Sequence, residues 1–427
     1  MTSANWAGNY VYRAGALHRP TSLVQVQELV AAAHQLKALG SRHSFNDIAD
    51  SPGDQLTLEA MPSELTFDRD ANTVTVNAGV RYGGFAEELH RAGFAVHNLA
   101  SLPHISVAGA IATGTHGSGN GNGNLSSAVA ALELVTADGS LVTARRGEPD
   151  FDGMVVSLGA LGVVTRVTLD VEPTFEVRQD VYEKLAWSTI ADHFDEITSA
   201  AYSVSMFTNW SDDGIDQLWL KSRTDAGATA AGESTFFGAT RATRELHPLP
   251  DVSAESTTAQ LGVPGPWWNR LSHFRLDFTP SKGEEIQTEY LLSRESAVAA
   301  IAAIRALGPT IAPQLYISEI RTMKADQLWL SPAFGRDTVA IHFTWKREDA
   351  VLAHLPLIDA ALAPFDARPH WGKVFMLGEG KGRADAPGVR SFNSLYPKLP
   401  LFRQLADAMD PEGKFRNDYL QRTVFAD

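Results

Sequence analysis

Residues 101–119, SLPHISVAGAIATGTHGSG, constrain this chain more than any other stretch. They place small residues and hydroxyls where an ordinary core strand would carry bulk. Gly109, Gly114, Gly117 and Gly119 have no Cβ, so the backbone can approach another group closely. Ser101, Ser106, Thr113, Thr115 and Ser118 supply hydroxyls, and each non-proline residue adds a backbone N–H. Convergent donors on such a backbone suit a pyrophosphate. The same composition also suits a turn-rich loop that holds nothing. A second stretch, LGSRHSFN at 39–46, shifts the balance towards a ligand: it is another Gly/Ser turn, with His43 at its tip. No G-x-G-x-x-G follows a first strand, so a doubly wound dinucleotide-binding fold is not supported.

The chain is 427 residues long, which favours two domains over one. Lys and Arg number 36 against 50 Asp and Glu, a formal net charge of −14. That balance disfavours nucleic acid or an anionic membrane surface as a partner, because both reward a basic face. There is no cysteine, so disulfides, thiolate metal sites and thiolate-held iron–sulfur clusters are excluded. The first residues, MTSANWAGNYVYRAG, lack a basic region followed by an apolar one, so no secretory signal is expected. No transmembrane helix is expected either, for want of an apolar run of about 18 residues. A cytoplasmic, monomeric protein is the expectation.

Hydrophobic spacing places a helix after the N-cap candidate Ser22, running to Gly40, with the His43 turn directly after it. Thr73–Ala78 alternates as a strand, and Phe85–Ala92 reads as a short helix. Asp138-Gly139 between two alternating runs signals a hairpin. Residues 1–172 thus read as an α+β unit of many short strands, with Glu172-Pro173 as its boundary. Residues 173–365 form a second unit with sheet strands at 202–208 and 217–223. Its irregular stretch 224–270 ends in VPGPWW, where Trp267 and Trp268 either line a pocket or pack beneath a long loop. The helix from Ala297 to Ala306 is expected to stop at Gly308-Pro309. GNGNGN at 119–124 reads as a flexible surface loop.

Several charged residues lie in strands. In LYISEIR, a period of two puts Leu315, Ile317, Glu319 and Arg321 on one face. The pair is either a solvated strand end or a buried Glu/Arg pair facing a pocket, where it would offer acceptors and donors to a neutral polyol. In VAIHFTW, Val339, Ile341, Phe343 and Trp345 share one face, and His342 and Thr344 share the other. His104 and His116 have no carboxylates clustered with them, so no metal is expected.

Taken together, H-S-F-N at 43–46 and S-L-P-H-I-S-V-A-G…A-T-G-T-H-G-S-G at 101–119 resemble the flavin-binding domain of the vanillyl-alcohol oxidase family, most closely its alditol oxidase branch. The resemblance runs from Asn5-Trp6-Ala7-Gly8-Asn9 to Asp410-Pro411-Glu412-Gly413-Lys414-Phe415. One departure is Arg42, where the pattern has glycine; a glycine can take positive φ and an arginine resists it.

This resemblance implies an α+β, two-domain flavoprotein. An FAD-binding domain would be followed by an antiparallel-sheet substrate domain, and residues 366–427 would return to the first domain and the active site. It implies FAD bound covalently through His43. The first loop would hold the cofactor with Gly40, Ser41, Arg42, Ser44, Phe45 and Asn46. The second would do so with Ser101, Ser106, Gly109, Thr113, Gly114, Thr115, His116 and Gly117, aided by Val163 and His370. It assigns Ser101, Glu319, Arg321, Thr344 and Lys373 to a polyol substrate, with Arg321 and Lys373 catalytic. The implied reaction takes the terminal CH₂OH of an alditol to the aldose and reduces O₂ to H₂O₂. An aldonolactone oxidase or dehydrogenase shares these pieces in related form. A sugar-binding protein without catalysis is the reading from another class.

Overall fold

The computed structural model describes residues 4–210, 214–225, 232–278, 284–376 and 391–426. Near the N-terminus, Ser22 accepts from the Gln25 N–H and starts the helix Leu23–Ala32, which buries Val26 and Val30. The helix ends well before Gly40. The chain turns instead into the strand Leu36–Ala38, which pairs in parallel with Asp54–Leu56. Gly40 therefore follows a strand, and the loop carrying His43 leaves the end of a small parallel sheet.

A five-stranded antiparallel sheet follows. Its central strands are Thr73–Asn77, Val163–Asp170 and Val129–Val135, and Thr66–Asp68 and Leu141–Arg145 form its edges. Gly139 takes φ +85 in the hairpin turn before Leu141–Arg145. One apolar core joins residues 26–177 to the C-terminal helices, burying Phe392, Leu399, Phe402, Tyr419 and Leu420 among the side chains of the first layer.

The second layer is a ten-stranded, largely antiparallel sheet. Its centre runs in the order Gly214–Arg223, Ser203–Thr208, Leu315–Met323, Thr338–Lys346, Glu285–Ser293. The helices Trp187–Thr198, Ala297–Ile311 and Ala350–Leu362 cover one face and share its core with Val339, Ile341, Phe343 and Trp345. The opposite face carries the charged positions.

Four local expectations are corrected. A bulge between Leu315 and Ile317 shifts the register, so Leu315 packs with the helices, whereas Ile317, Glu319 and Arg321 stay on the opposite face. The helix at 297 runs through Gly308-Pro309 to Ile311. Gly308 is there for close approach, since a Cβ would stand 2.3 Å from the Trp210 carbonyl oxygen. The GNGNGN stretch is stitched into the structure: Asn122 donates to the Ser118 and Tyr202 carbonyls, and Asn124 donates to Asp326 and Ser331. Residues 294–314 have the length and hydropathy of a membrane-crossing helix, contrary to the expectation. Their apolar face, with Ala300, Ile301, Ile304 and Ile311, is buried against the sheet. Of the two readings of Trp267, packing holds: it is fully buried and donates from Nε1 to the Phe94 carbonyl at 3.2 Å.

Candidate active site

A cleft with about 2110 Å³ of empty space, counting its open mouth, lies between the two layers. One wall comes from the two loops of the first layer. Ser41 and Ser106 lock these loops together reciprocally. The Ser106 N–H donates to Ser41 Oγ at 3.0 Å, and the Ser41 N–H donates to Ser106 Oγ at 3.3 Å. A Cβ on Gly40 would stand 2.4 Å from Ser106 Oγ, and one on Gly109 2.8 Å. Side chains are thus excluded at both positions, and the wall is bare backbone and hydroxyl.

The His43 turn is held from two sides. Trp6 donates its N–H to the Arg42 carbonyl at 2.9 Å and stacks on His43 with ring centroids 5.4 Å apart. Asn5 donates to the Ser44 carbonyl, Asn9 to the Phe45 carbonyl, and the Phe45 N–H to the Gly372 carbonyl. Arg42 takes φ +65, the left-handed conformation that favours glycine. Burial pushes His43 down to about 4, so its imidazole is neutral at ordinary pH. Its Nδ1 is buried with no hydrogen-bond partner among the described residues.

The other wall is the charged face of the large sheet. Arg321 donates from Nη1 to Ser101 Oγ at 3.2 Å and from Nη2 to Glu289 Oε1 at 3.2 Å. Glu289 is buried at the centre of a cluster, with His116 Nε2 at 3.1 Å and His342 Nδ1 at 3.5 Å. Burial alone would raise the Glu289 carboxyl; His116 and His342 hold it well below its ordinary value. Glu319 meets His273 Nε2 at 2.7 Å and Arg321 Nε at 3.5 Å. Against the opposing pull of burial, Arg321 and His273 keep its carboxyl below the usual carboxylate range. His342 Nε2 lies 3.1 Å from Thr344 Oγ1.

Lys373 enters from the HWGK segment. Its ammonium donates to Gln287 Oε1 and lies 5.1 Å from the centroid of the Phe45 ring. Burial pushes it down to about 8, opposed by Glu289 and assisted by Arg321. His370 accepts the Gly372 N–H at Nδ1 and is pushed down to about 3 by burial.

The cleft therefore brings together Gly40, Ser41, Arg42, His43, Ser44 and Phe45 with Ser101, Ser106, Gly109, Thr113, Thr115 and His116. It also gathers Glu319, Arg321, Thr344, His370 and Lys373. Four expected cofactor residues lie outside its wall. Asn46 donates to the Trp371 and Lys373 carbonyls at 2.8 Å each and braces the loop from behind. Gly114 takes φ +65, where a Cβ would meet Pro332. Gly117 backs onto the Leu99 carbonyl, 2.4 Å from where its Cβ would be. Val163 is fully buried in its sheet, and its neighbours Gly162 and Val164 reach the cleft instead.

Sequence reasoning missed Glu285, Gln287, Glu289 and His273. The first three carried a partial signal: in EIQTE, Glu285, Gln287 and Glu289 recur at a period of two and so share one face of a strand. His273 carried none, because it sits in an irregular segment far in sequence from its partner.

The donor set fits a flavin dinucleotide. Bare backbone and hydroxyls line one wall, a neutral histidine whose Nδ1 has no hydrogen-bond partner among the described residues stands at its edge, and a charged face lies opposite. Residues 14–145 match the FAD binding domain family, and residues 282–423 match the D-arabinono-1,4-lactone oxidase family. An alditol oxidase of Streptomyces sp. (strain IKD472 / FERM P-14339) is 48% identical over 421 residues, covering 98% of this chain and 97% of that protein. An L-gulono-1,4-lactone dehydrogenase of Mycobacterium tuberculosis (strain ATCC 25618 / H37Rv) is 27% identical over 99% of this chain and 98% of its own. A solved cholesterol oxidase from B. sterolicum superposes with a TM-score of 0.74 at 14% identity, over 99% of this chain and 96% of that one, which shows the shared fold. On this likeness in sequence and architecture, the chain belongs to the alditol oxidase family of FAD-binding flavoproteins.

Proposed function

We propose that this protein oxidises the terminal CH₂OH of an alditol such as xylitol or sorbitol to the aldose, with FAD as cofactor and O₂ reduced to H₂O₂. The observation that carries this reading is the placement of Glu319, Arg321, Thr344 and Lys373 on one side of a cleft whose other side is the His43 turn and the Ser106–Gly109 loop.

FAD, when bound, would supply two-electron oxidation of the substrate carbon, with O₂ as the final acceptor. The chain supplies the rest. The glycine backbone and hydroxyls of 40–45 and 106–115 hold the cofactor. His43, whose Nδ1 has no hydrogen-bond partner among the described residues, is the residue through which it would be tethered covalently. Ser101, Glu319 and Thr344 bind the polyol hydroxyls and orient the reacting carbon, which makes the step effectively unimolecular. Arg321 is fixed by Glu289, Glu319 and Ser101, and it stabilises negative charge developing on the reacting oxygen. Lys373, shifted by burial towards ordinary pH, takes the hydroxyl proton at Nζ.

The match of residues 282–423 to a lactone oxidase family favours a second reading, oxidation of an aldonolactone. Glu319, Arg321, Thr344 and Lys373 all lie inside that match. Peroxide formation with xylitol and L-gulono-1,4-lactone as competing substrates separates the two. The proposal requires turnover of xylitol without an added electron acceptor, at a kcat/KM above that for the lactone. Turnover of the lactone alone supports the second reading.

A further inference from the structure

Neither family match covers residues 146–281, and one segment of that interval reaches the substrate wall. Residues 270–274 form a strap at the edge of the cleft, with His273 and Phe274 in its lining. The N–H groups of His273 and Phe274 both donate to the Ser101 carbonyl, at 3.1 and 3.2 Å. The strap is anchored from below by Lys221, which is fully buried. Its ammonium donates to the Arg270, Leu271 and Ser272 carbonyls at 2.7, 2.7 and 2.8 Å. Three carbonyls on one cation fix the backbone immediately before His273. The imidazole is then boxed edge-on by Phe207 and Trp219, with centroids at 5.6 and 5.2 Å.

So held, His273 presents Nε2 to Glu319 Oε1 at 2.7 Å. An ionised carboxylate only accepts, so Nε2 carries the proton. The Arg321 Nε contact falls on the same oxygen, Oε1. Among the described residues nothing donates to Oε2, which is left to accept from a ligand. A polyol hydroxyl is a good donor for it. The strap fixes Ser101 through its carbonyl and Glu319 through its carboxylate, two groups that the proposed reaction assigns to the substrate.

We propose that His273 is a positioning residue that sets alditol binding: held by the Lys221-anchored strap, it fixes Glu319 so that Oε2 receives a substrate hydroxyl. This rests on the alditol oxidase reading above. It locates part of the substrate selectivity in a segment outside both family matches.

The test compares His273→Gln with His273→Asn. Gln places an amide N–H where His places Nε2, whereas Asn places one only as far as Nδ1. Both are polar and smaller than histidine, so neither is forced into the aromatic box. Steady-state oxidation of xylitol is measured for wild type and both variants, with flavin content as the check on folding. The expected result is a KM within about threefold of wild type for Gln and raised about 10- to 100-fold for Asn, the effect of one charge-assisted hydrogen bond. Flavin content stays unchanged, and kcat falls far less than KM rises. Equal KM values in all three proteins would overturn the proposal. So would an equal fall of kcat and flavin content in both variants, which marks a merely structural residue. A wild-type protein inert to xylitol would instead contradict the activity on which the proposal rests, so the two failures are distinguishable.

Discussion

His116 Nε2 stands 3.1 Å from Glu289 Oε1, with both side chains buried, and this contact joins the glycine-rich loop of the first layer to the charged face of the large sheet. His116 comes from the wall assigned to the cofactor. Glu289 holds Arg321, which is assigned to the substrate. Glu289 is thus in contact with a residue from each wall.

Replacing Glu289 tests this junction. Glu289→Gln keeps the shape but removes the charge facing His116, Arg321 and His342. Breaking a buried charge pair costs about 3–5 kcal/mol. The variant is expected to unfold at lower denaturant concentration and to lose activity at Arg321's expense. Wild-type stability measured by denaturant titration would show that the cluster is not coupled.

Arg42 sits at φ +65 in a turn whose Arg42, Ser44 and Phe45 carbonyls accept from Trp6, Asn5 and Asn9. An L-residue in this conformation costs about 1–2 kcal/mol. Arg42→Val is expected to destabilise the protein, since a β-branched side chain tolerates positive φ least. Arg42→Gly is expected to be neutral or stabilising, because the relief of strain offsets the added freedom of the unfolded chain. Thermal unfolding of the two variants gives the order directly.

The proposed tether at His43 predicts the fate of the colour. Acid precipitation of the wild-type protein should leave yellow in the pellet. The His43→Ala protein should release all its colour to the supernatant. Yellow in both pellets would place the attachment elsewhere.

Lys373 predicts a pH profile. Its value is pushed by burial from the ordinary lysine range down to about 8, and in the proposed reaction the unprotonated amine takes the substrate proton. Activity, read as kcat/KM, should then rise with pH along a limb centred near 8, and Lys373→Met should abolish that limb. Linkage has the same sign. Between about 8 and the ordinary lysine value, the unfolded chain binds more protons than the folded one, so this residue's contribution makes the fold more stable as pH rises through that window. A limb descending through 8 would mean that the cation is the active form.

How much of this was legible follows from what each residue depends on. The Gly40 and Gly109 loops announce themselves, because close approach demands glycine and leaves a compositional mark. Glu319 and Arg321 share a face by strand periodicity. Leu315 was misplaced by a bulge that no local pattern signals. The helix end at 308–309 was misread because Gly308 serves a tertiary contact with Trp210, not a cap. The GNGNGN stretch resembled a linker, yet its asparagines satisfy carbonyls and side chains from distant segments. His273 was invisible for the same reason: its importance lies wholly in a contact 46 residues away in sequence.

The most direct test of the account is anaerobic mixing of the purified yellow protein with xylitol, followed by admission of air. Xylitol is expected to bleach the flavin, and air to restore the colour with one H₂O₂ formed for each flavin reoxidised. A flavin that xylitol leaves yellow and an aldonolactone bleaches would contradict it.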